Sequence, residues 1–173
     1  EPAELLGEVR LALAQGGALR GRRIVVTTGP TREALDPVRF ISNRSTGKQG
    51  VAVAQAALDA GAAVTLIAGP VAEPMPYGAR VVPVETTQQM GDAVLSCVAE
   101  ADMLCMVAAV ADFRPESVSE RKIKKTEEGD WGLAIGLEKT LDILSAVKEQ
   151  RDRTGRPRVV LGFAAEPHTA SGY

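Results

Sequence analysis

Short aliphatic runs alternate with Ala-rich stretches of helical spacing along the whole chain, and that alternation constrains the fold more than any other feature. Residues 22–28 (Ile24, Val25, Val26), 63–68, 80–84, 103–110 and 158–163 read as strands, with a short one expected at 133–137. Residues 3–15, 47–60, 87–99 and 141–150 repeat apolar positions every three or four residues and read as helices. Gly16-Gly17 and Gly61 stand where helices stop, and Thr86 or Thr87 stands where one starts. Strand and helix in turn predict an α/β fold, a doubly wound, mainly parallel sheet with helices on both faces and right-handed crossovers. A chain of 173 residues suffices for one domain with its own core. Hydrophobic residues make up 45% and aromatics only 3%, so that core must be aliphatic, as suits buried parallel strands.

Several function classes drop out early. A net charge of −2 argues against nucleic acid as a bulk partner. No apolar run approaches the roughly 20 residues of a membrane span. The first residues are acidic and polar, unlike a signal peptide, so a cytoplasmic protein is expected. Cys97 and Cys105 sit in apolar surroundings without a CxxC spacing and read as buried free thiols. His168 is the only histidine, which leaves no basis for a zinc site or a His-based triad.

The stretch from Gly29 to Gly50 joins the first strand to the next helix and far exceeds the roughly 2–6 residues usual for such a connection. Val38, Phe40 and Ile41 give it apolar anchors, which argues for order. Gly29 allows close backbone approach to a ligand. Thr31, Ser42, Ser45 and Thr46 supply hydroxyls; Arg32, Arg39, Arg44 and Lys48 supply positive charge. Its last part, Asn43-Arg-Ser-Thr-Gly-Lys-Gln-Gly50, opens a helix, where free amides and the dipole favour phosphate. The plainer alternative is a capped helix behind an ordinary surface loop.

Two nucleotide fingerprints are tested and fail. A dinucleotide site needs G-x-G-x-x-G after a strand and an acid ending the next one. Here the first strand runs into Gly29-Pro-Thr and the second into Ala68-Gly-Pro. A P-loop needs G-x-x-x-x-G-K-[ST], but Ser42 replaces its first glycine and Gln49 follows Lys48. Three further constellations remain. Ala108-Ala-Val-Ala-Asp-Phe113 ends a strand in small residues that admit a flat ring; Asp112 would bind a ribose hydroxyl or a metal, or cap a turn. Lys122-Ile-Lys-Lys125 would neutralise a triphosphate, or is a solvated basic run; its polar loop, 111–130, suits a lid. Asp142 opens a helix, Phe163 stacks on a base or fills core, and Trp131 packs.

Gly29-Pro-Thr-Arg-Glu33, Asp36 to Gly50, Ala108 to Asp112, Lys122 to Lys125 and Gly162 to Glu166 together resemble phosphopantothenoylcysteine synthetase, in that family's order and spacing. The resemblance spans residues from about Arg22 to Glu166. It implies a homodimeric, Rossmann-like ligase that uses CTP and Mg²⁺ to join 4′-phosphopantothenate to L-cysteine through an acyl-cytidylate, in coenzyme A biosynthesis. It also implies roles. Asn43 would contact the acyl intermediate and support the second step, and Lys122 would contact CTP and support the first. Asp112 would hold the ribose side. Ala108 with its neighbours Met106 and Val107, then Leu141, Asp142, Ile143, Leu144 and Phe163, would frame cytosine. Gly29, Ser45, Thr46 and Gly47 would receive phosphates, and Arg39 would serve the acidic substrate beside Asn43 and Ala108. It assigns no ligands to Mg²⁺.

The resemblance further implies that residues 1–20 are a linker or helix ahead of a synthetase domain at 21–173. A flavin (FMN) decarboxylase half would precede it in the full-length family protein. The family pattern has a proline where Leu141 stands, and continues beyond Gly162-Phe-Ala-Ala-Glu166 with a segment carrying two CTP-binding lysines that residues 165–173 do not match. Against this ligase stand two alternatives: a nicotinamide-dependent reductase on a similar sheet, and an inactive nucleotide-binding or dimerisation fragment.

Overall fold

The computed structural model describes residues 1–124 and 134–164. Lys125, Trp131, Leu133 and the 165–173 segment with His168 lie outside the described residues. The elements are α1 (Pro2–Ala14), β1 (Arg23–Thr28), β2 (Arg32–Ala34), β3 (Phe40–Ser42), α2 (Lys48–Asp59), β4 (Ala63–Ala68), β5 (Arg80–Pro83), α3 (Thr87–Val98), β6 (Met103–Met106), β7 (Phe113–Pro115), β8 (Leu137–Lys139), α4 (Ile143–Thr154) and β9 (Val159–Gly162).

β5-β4-β1-β6-β9 form a five-stranded sheet in that order, each neighbouring pair parallel. Side chains alternate across it with period two. Val25, Ile67, Leu104 and Met106 face α3 and α4, where Met90, Val94, Val98, Ile143 and Val147 close the layer. Ile24, Val26, Val64, Leu66 and Cys105 face the other way, onto Ala54, Ala57 and Leu58 of α2. Both buried clusters are free of aromatic side chains, as the composition requires. Each fully buried Val, Leu or Ile contributes about 1.5–3 kcal/mol over exposure. The chain builds outward from β1 to β4 and β5, and α3 then returns it to β6 on the opposite side of β1. The strand order therefore reverses between β1 and β6, the point at which ligands bind in such sheets.

The core strands and helices stand where the sequence pattern predicts them, and four details differ. β6 ends at Met106 instead of residue 110, because the Thr27 hydroxyl takes the amides of Val107 and Ala108 out of the ladder. The long connection after β1 is not plain loop: β2 and β3 pair antiparallel within it, Arg32 opposite Ser42 and Ala34 opposite Phe40. The expected short strand at 133–137 lies later, at Leu137–Lys139, because it pairs antiparallel with β7, a strand unmarked in the sequence. The helix expected at 141–150 begins at Ile143 behind an Asp142 cap and runs to Thr154. α1 is docked on the domain: Tyr77 packs where a Cβ on Gly7 would sit, and its hydroxyl donates to Glu8 at 2.6 Å. Arg10 pairs with Asp59 of α2 at 3.0 Å.

Candidate functional site

Beyond the carboxyl ends of β1 and β6, residues 107–112 run beside Gly29–Thr31, and buried hydroxyls hold them there. Thr27 Oγ1 accepts from Val107 N at 3.0 Å and Ala108 N at 3.1 Å. Thr31 Oγ1 accepts from Ala111 N at 2.9 Å and lies 3.1 Å from Thr87 Oγ1. The Thr87 proton goes to Ala111 O at 3.3 Å, so Thr31 is the donor of the hydroxyl pair. Thr140 Oγ1 donates to the same carbonyl at 2.6 Å. Ala109 N donates to Gly29 O at 2.9 Å. Asn43, leaving β3, donates its Nδ2 to Ala109 O at 3.3 Å and Val110 O at 2.8 Å.

This floor opens on a cleft of about 850 Å³. Of the residues singled out from sequence, Asn43, Met106, Ala108, Asp112, Leu141, Asp142, Ile143, Leu144 and Phe163 line it. Lys139 and Arg44 add positive charge to its rim. Phe163 is 46% exposed, so it faces the cleft and does not fill core. Asp142 caps α4, accepting from Ser145 N at 2.9 Å and Ser145 Oγ at 2.7 Å. These bonds, the backbone one foremost, hold its carboxyl below the usual range. A volume of this order suits a nucleotide-sized ligand.

Other sequence candidates stand outside that lining. Val107 turns to the opposite face of the sheet, against the α2 cluster, as period two requires after Met106. Ser45, Thr46 and Gly47 lead from Asn43 and Arg44 into α2, whose start has no side-chain cap. Gly29 and Gly47 both have positive φ, 78° and 79°. A Cβ on either would strike Val71 Cγ1, so packing within the chain, together with φ, requires glycine there. The Arg39 guanidinium is held by Asp36, with Nη2 2.6 Å from Oδ2. Lys122 is exposed on the segment that reaches the β2–β3 turn.

The sequence marks Thr31 only as one hydroxyl of the long connection and Thr87 only as a helix start, and it gives Thr27, Glu33 and Asp36 no role of their own. All five are buried. Glu33 Oε1 accepts from Thr87 N at 2.8 Å, placing a carboxylate at the start of α3. A polar residue at the buried end of an aliphatic strand, as in Thr27-Thr28, was the available signal.

Fold and cleft define a Rossmann-like α/β protein with its candidate site at the switch point. The chain belongs to the family described as DNA/pantothenate metabolism flavoprotein C-terminal domain, which matches residues 19–173. Among its relatives is the coenzyme A biosynthesis bifunctional protein CoaBC of Bacillus subtilis, 43% identical over 169 residues, 97% of this chain and 40% of that one. The protein of the same description from Mycobacterium tuberculosis is 50% identical over 157 residues, 89% of this chain and 37% of that one. The crystal structure of the C-terminal domain of a CoaBC protein superposes with a TM-score of 0.74 at 40% identity, covering 89% of this chain and 69% of that one. The chain thus spans about 40% of the length of these curated relatives.

Proposed function

We propose that the chain is the ligase part of a coenzyme A biosynthetic protein, joining 4′-phosphopantothenate to L-cysteine with CTP. The observation that carries this is the cleft at the switch point, with Asn43 fastened to its small-residue floor, in a chain 43% identical to a coenzyme A biosynthesis protein. In the first step a carboxylate oxygen of the substrate attacks the α-phosphorus of CTP. The bond to the bridging oxygen breaks and pyrophosphate leaves with the electron pair. Lys122 and the amides at the mouth of α2 supply positive charge to that leaving group. In the second step the cysteine nitrogen attacks the acyl carbon, the bond to CMP breaks, and the nitrogen loses its proton.

Asn43 suits the second step. Its amide NH₂ end must face the two carbonyls of Ala109 and Val110, so Oδ1 is the end able to accept from the incoming amine. Asp112 and Phe163, with Leu141–Leu144, would enclose the nucleoside. Among the described residues no group of three or more His, Cys, Asp or Glu gathers to hold a metal. Mg²⁺ brought in on the phosphates would meet Asp112, which with the α4-capping Asp142 is one of two carboxylates lining the cleft.

Mixing the protein with CTP, Mg²⁺, 4′-phosphopantothenate and cysteine should release CMP and pyrophosphate in equal amounts. Pyrophosphate release that ignores phosphopantothenate would reject the assignment. Asn43→Asp would turn a carboxylate toward two carbonyl oxygens; CMP release should fall at least about tenfold while pyrophosphate is still released and the acyl-cytidylate accumulates. Lys122→Gln should slow pyrophosphate release itself. We infer a homodimer as well, supported by Phe40, Phe113 and Leu137, about half exposed on the two antiparallel strand pairs. A decarboxylase domain in the longer protein is inferred from the bifunctional relatives. A cytoplasmic location agrees with two free cysteines, and no described helix is long and apolar enough to cross a membrane.

A further inference from the structure

Asp36 sits in the turn between β2 and β3, and its side chain is wholly enclosed. Oδ1 accepts from Val38 N and Arg39 N, both at 2.8 Å, which shapes the turn. Oδ2 looks outward from it, accepting from Arg39 Nε at 2.9 Å, Arg39 Nη2 at 2.6 Å and, across the chain, Ile123 N at 3.1 Å. Arg39 Nη2 in turn donates to Ile123 O at 2.6 Å. Both backbone polar groups of Ile123 are therefore taken by one ion pair. Ser119 N adds a third tie, to Leu35 O at 3.0 Å, and Ser119 Oγ folds the intervening turn by donating to Arg121 O at 2.6 Å. Lys122 and Lys124 flank the clamped residue and are exposed.

The hairpin that carries this clamp at its turn carries Asn43 at its exit, where Asn43 is bonded to the cleft floor. One hydrogen-bonded element thus joins the lysine segment to the site. We propose that Asp36 is a positioning residue, acting through Arg39 and the backbone of Ile123 to hold the Lys122 ammonium in register with the cleft. The proposal rests on the assignment of Lys122 to the CTP-dependent step. It also gives Arg39 a duty distinct from direct substrate binding: the guanidinium spans a carboxylate and a carbonyl, with the lysine segment hung from it.

Asp36→Asn is the test. The amide oxygen can stay in the Oδ1 place and keep the turn, but the NH₂ then faces the Arg39 guanidinium and Ile123 N–H, donor against donor. Two readouts are taken on the folded protein. Hydrogen exchange at residues 119–123 should speed up at least about tenfold, and trypsin should cut after Lys122 or Lys124 faster than in the wild type. In turnover, kcat for pyrophosphate release should fall about tenfold or more with KM for phosphopantothenate little changed, and adding Lys122→Gln should cost little further. Asp36→Glu, which restores the charge, should recover part of both losses. Unchanged exchange at 119–123 in a folded Asp36→Asn protein would overturn the clamp. A raised KM at constant kcat, or losses that simply multiply with Lys122→Gln, would overturn the positioning role. Absence of CTP turnover in the wild type would instead sink the reaction assignment, while exchange would still decide the clamp.

Discussion

Thr31 differs from valine by one hydroxyl, and that hydroxyl is completely enclosed. It receives the amide of Ala111 and gives its own proton to Thr87, whose proton goes on to Ala111 O. Thr31→Val keeps the shape and strands a buried amide, which costs about 1–3 kcal/mol. The expected result is a lower melting temperature and weaker CTP binding together, because the same loop floors the cleft. Thr31→Ser should retain both. If Thr31→Val melted normally and bound normally, the hydroxyl chain would have no structural weight. At this scale the sequence was only half legible. Asn43, Asp112 and Phe163 stand out by type and position, and they do meet in one cleft. Thr31 and Thr87 carry only a local reading, as a loop hydroxyl and a helix start, since their partners lie 80 and 24 residues away and no local spacing marks such a bond.

Among the elements, α2 shows packing overruling propensity. Gly50 is in its first turn, and glycine in a helix is normally about 1 kcal/mol worse than alanine. A Cβ there would collide with the Thr28 side chain, Thr28 Cβ being 2.5 Å away and the Thr27 carbonyl oxygen 2.9 Å. Neither β1 nor its carbonyl can yield, because β1 is the middle strand of the sheet. Gly50→Ala should therefore destabilise the protein, by about 1–3 kcal/mol from overpacking, instead of stabilising it. Denaturant unfolding of the variant decides the sign; a gain in stability would mean that α2 can slide off β1 without cost. The same contrast explains which elements the sequence disclosed. β1, β4 and β6, in the middle of the sheet, are aliphatic runs covered by apolar residues on both faces, and the more exposed edge strands β5 and β9 are still Val- and Leu-rich, so composition announces all five. β2, β3, β7 and β8 are each three residues long and owe their form to a partner strand and to turns such as that of Asp36. Runs so short have no period to read.

For the molecule as a whole, two carboxylates tie distant parts of the chain together, and both are held below the ordinary range. Burial pushes Asp36 upward, but the Arg39 side chain and the amides of Val38, Ile123 and Arg39 outweigh it. Asp102, at the opposite edge of the sheet, accepts from Arg23 N at 3.0 Å and Arg156 Nη1 at 2.7 Å, and these bonds, the Arg23 amide first, lower it. Its own carbonyl receives Arg158 N and Val159 N, so β1, β6 and β9 converge on this residue. A carboxyl with a depressed folded pKa stabilises the fold above its unfolded value, near 3.9 for Asp, and that stability is lost as pH falls through the folded value. Unfolding free energy should thus be insensitive to these groups from about pH 7 to pH 5 and should fall progressively below about pH 4. Asp102→Asn takes one group out of the balance. It should be less stable than the wild type at pH 7, and its stability should decline less steeply on acidification, so that the two curves draw together at low pH. Measuring urea midpoints of both proteins from pH 7 to pH 2 tests this. Parallel curves over the acid limb would mean that Asp102 titrates alike in the folded and unfolded chain, and that the convergence of three strands on it contributes nothing to acid sensitivity.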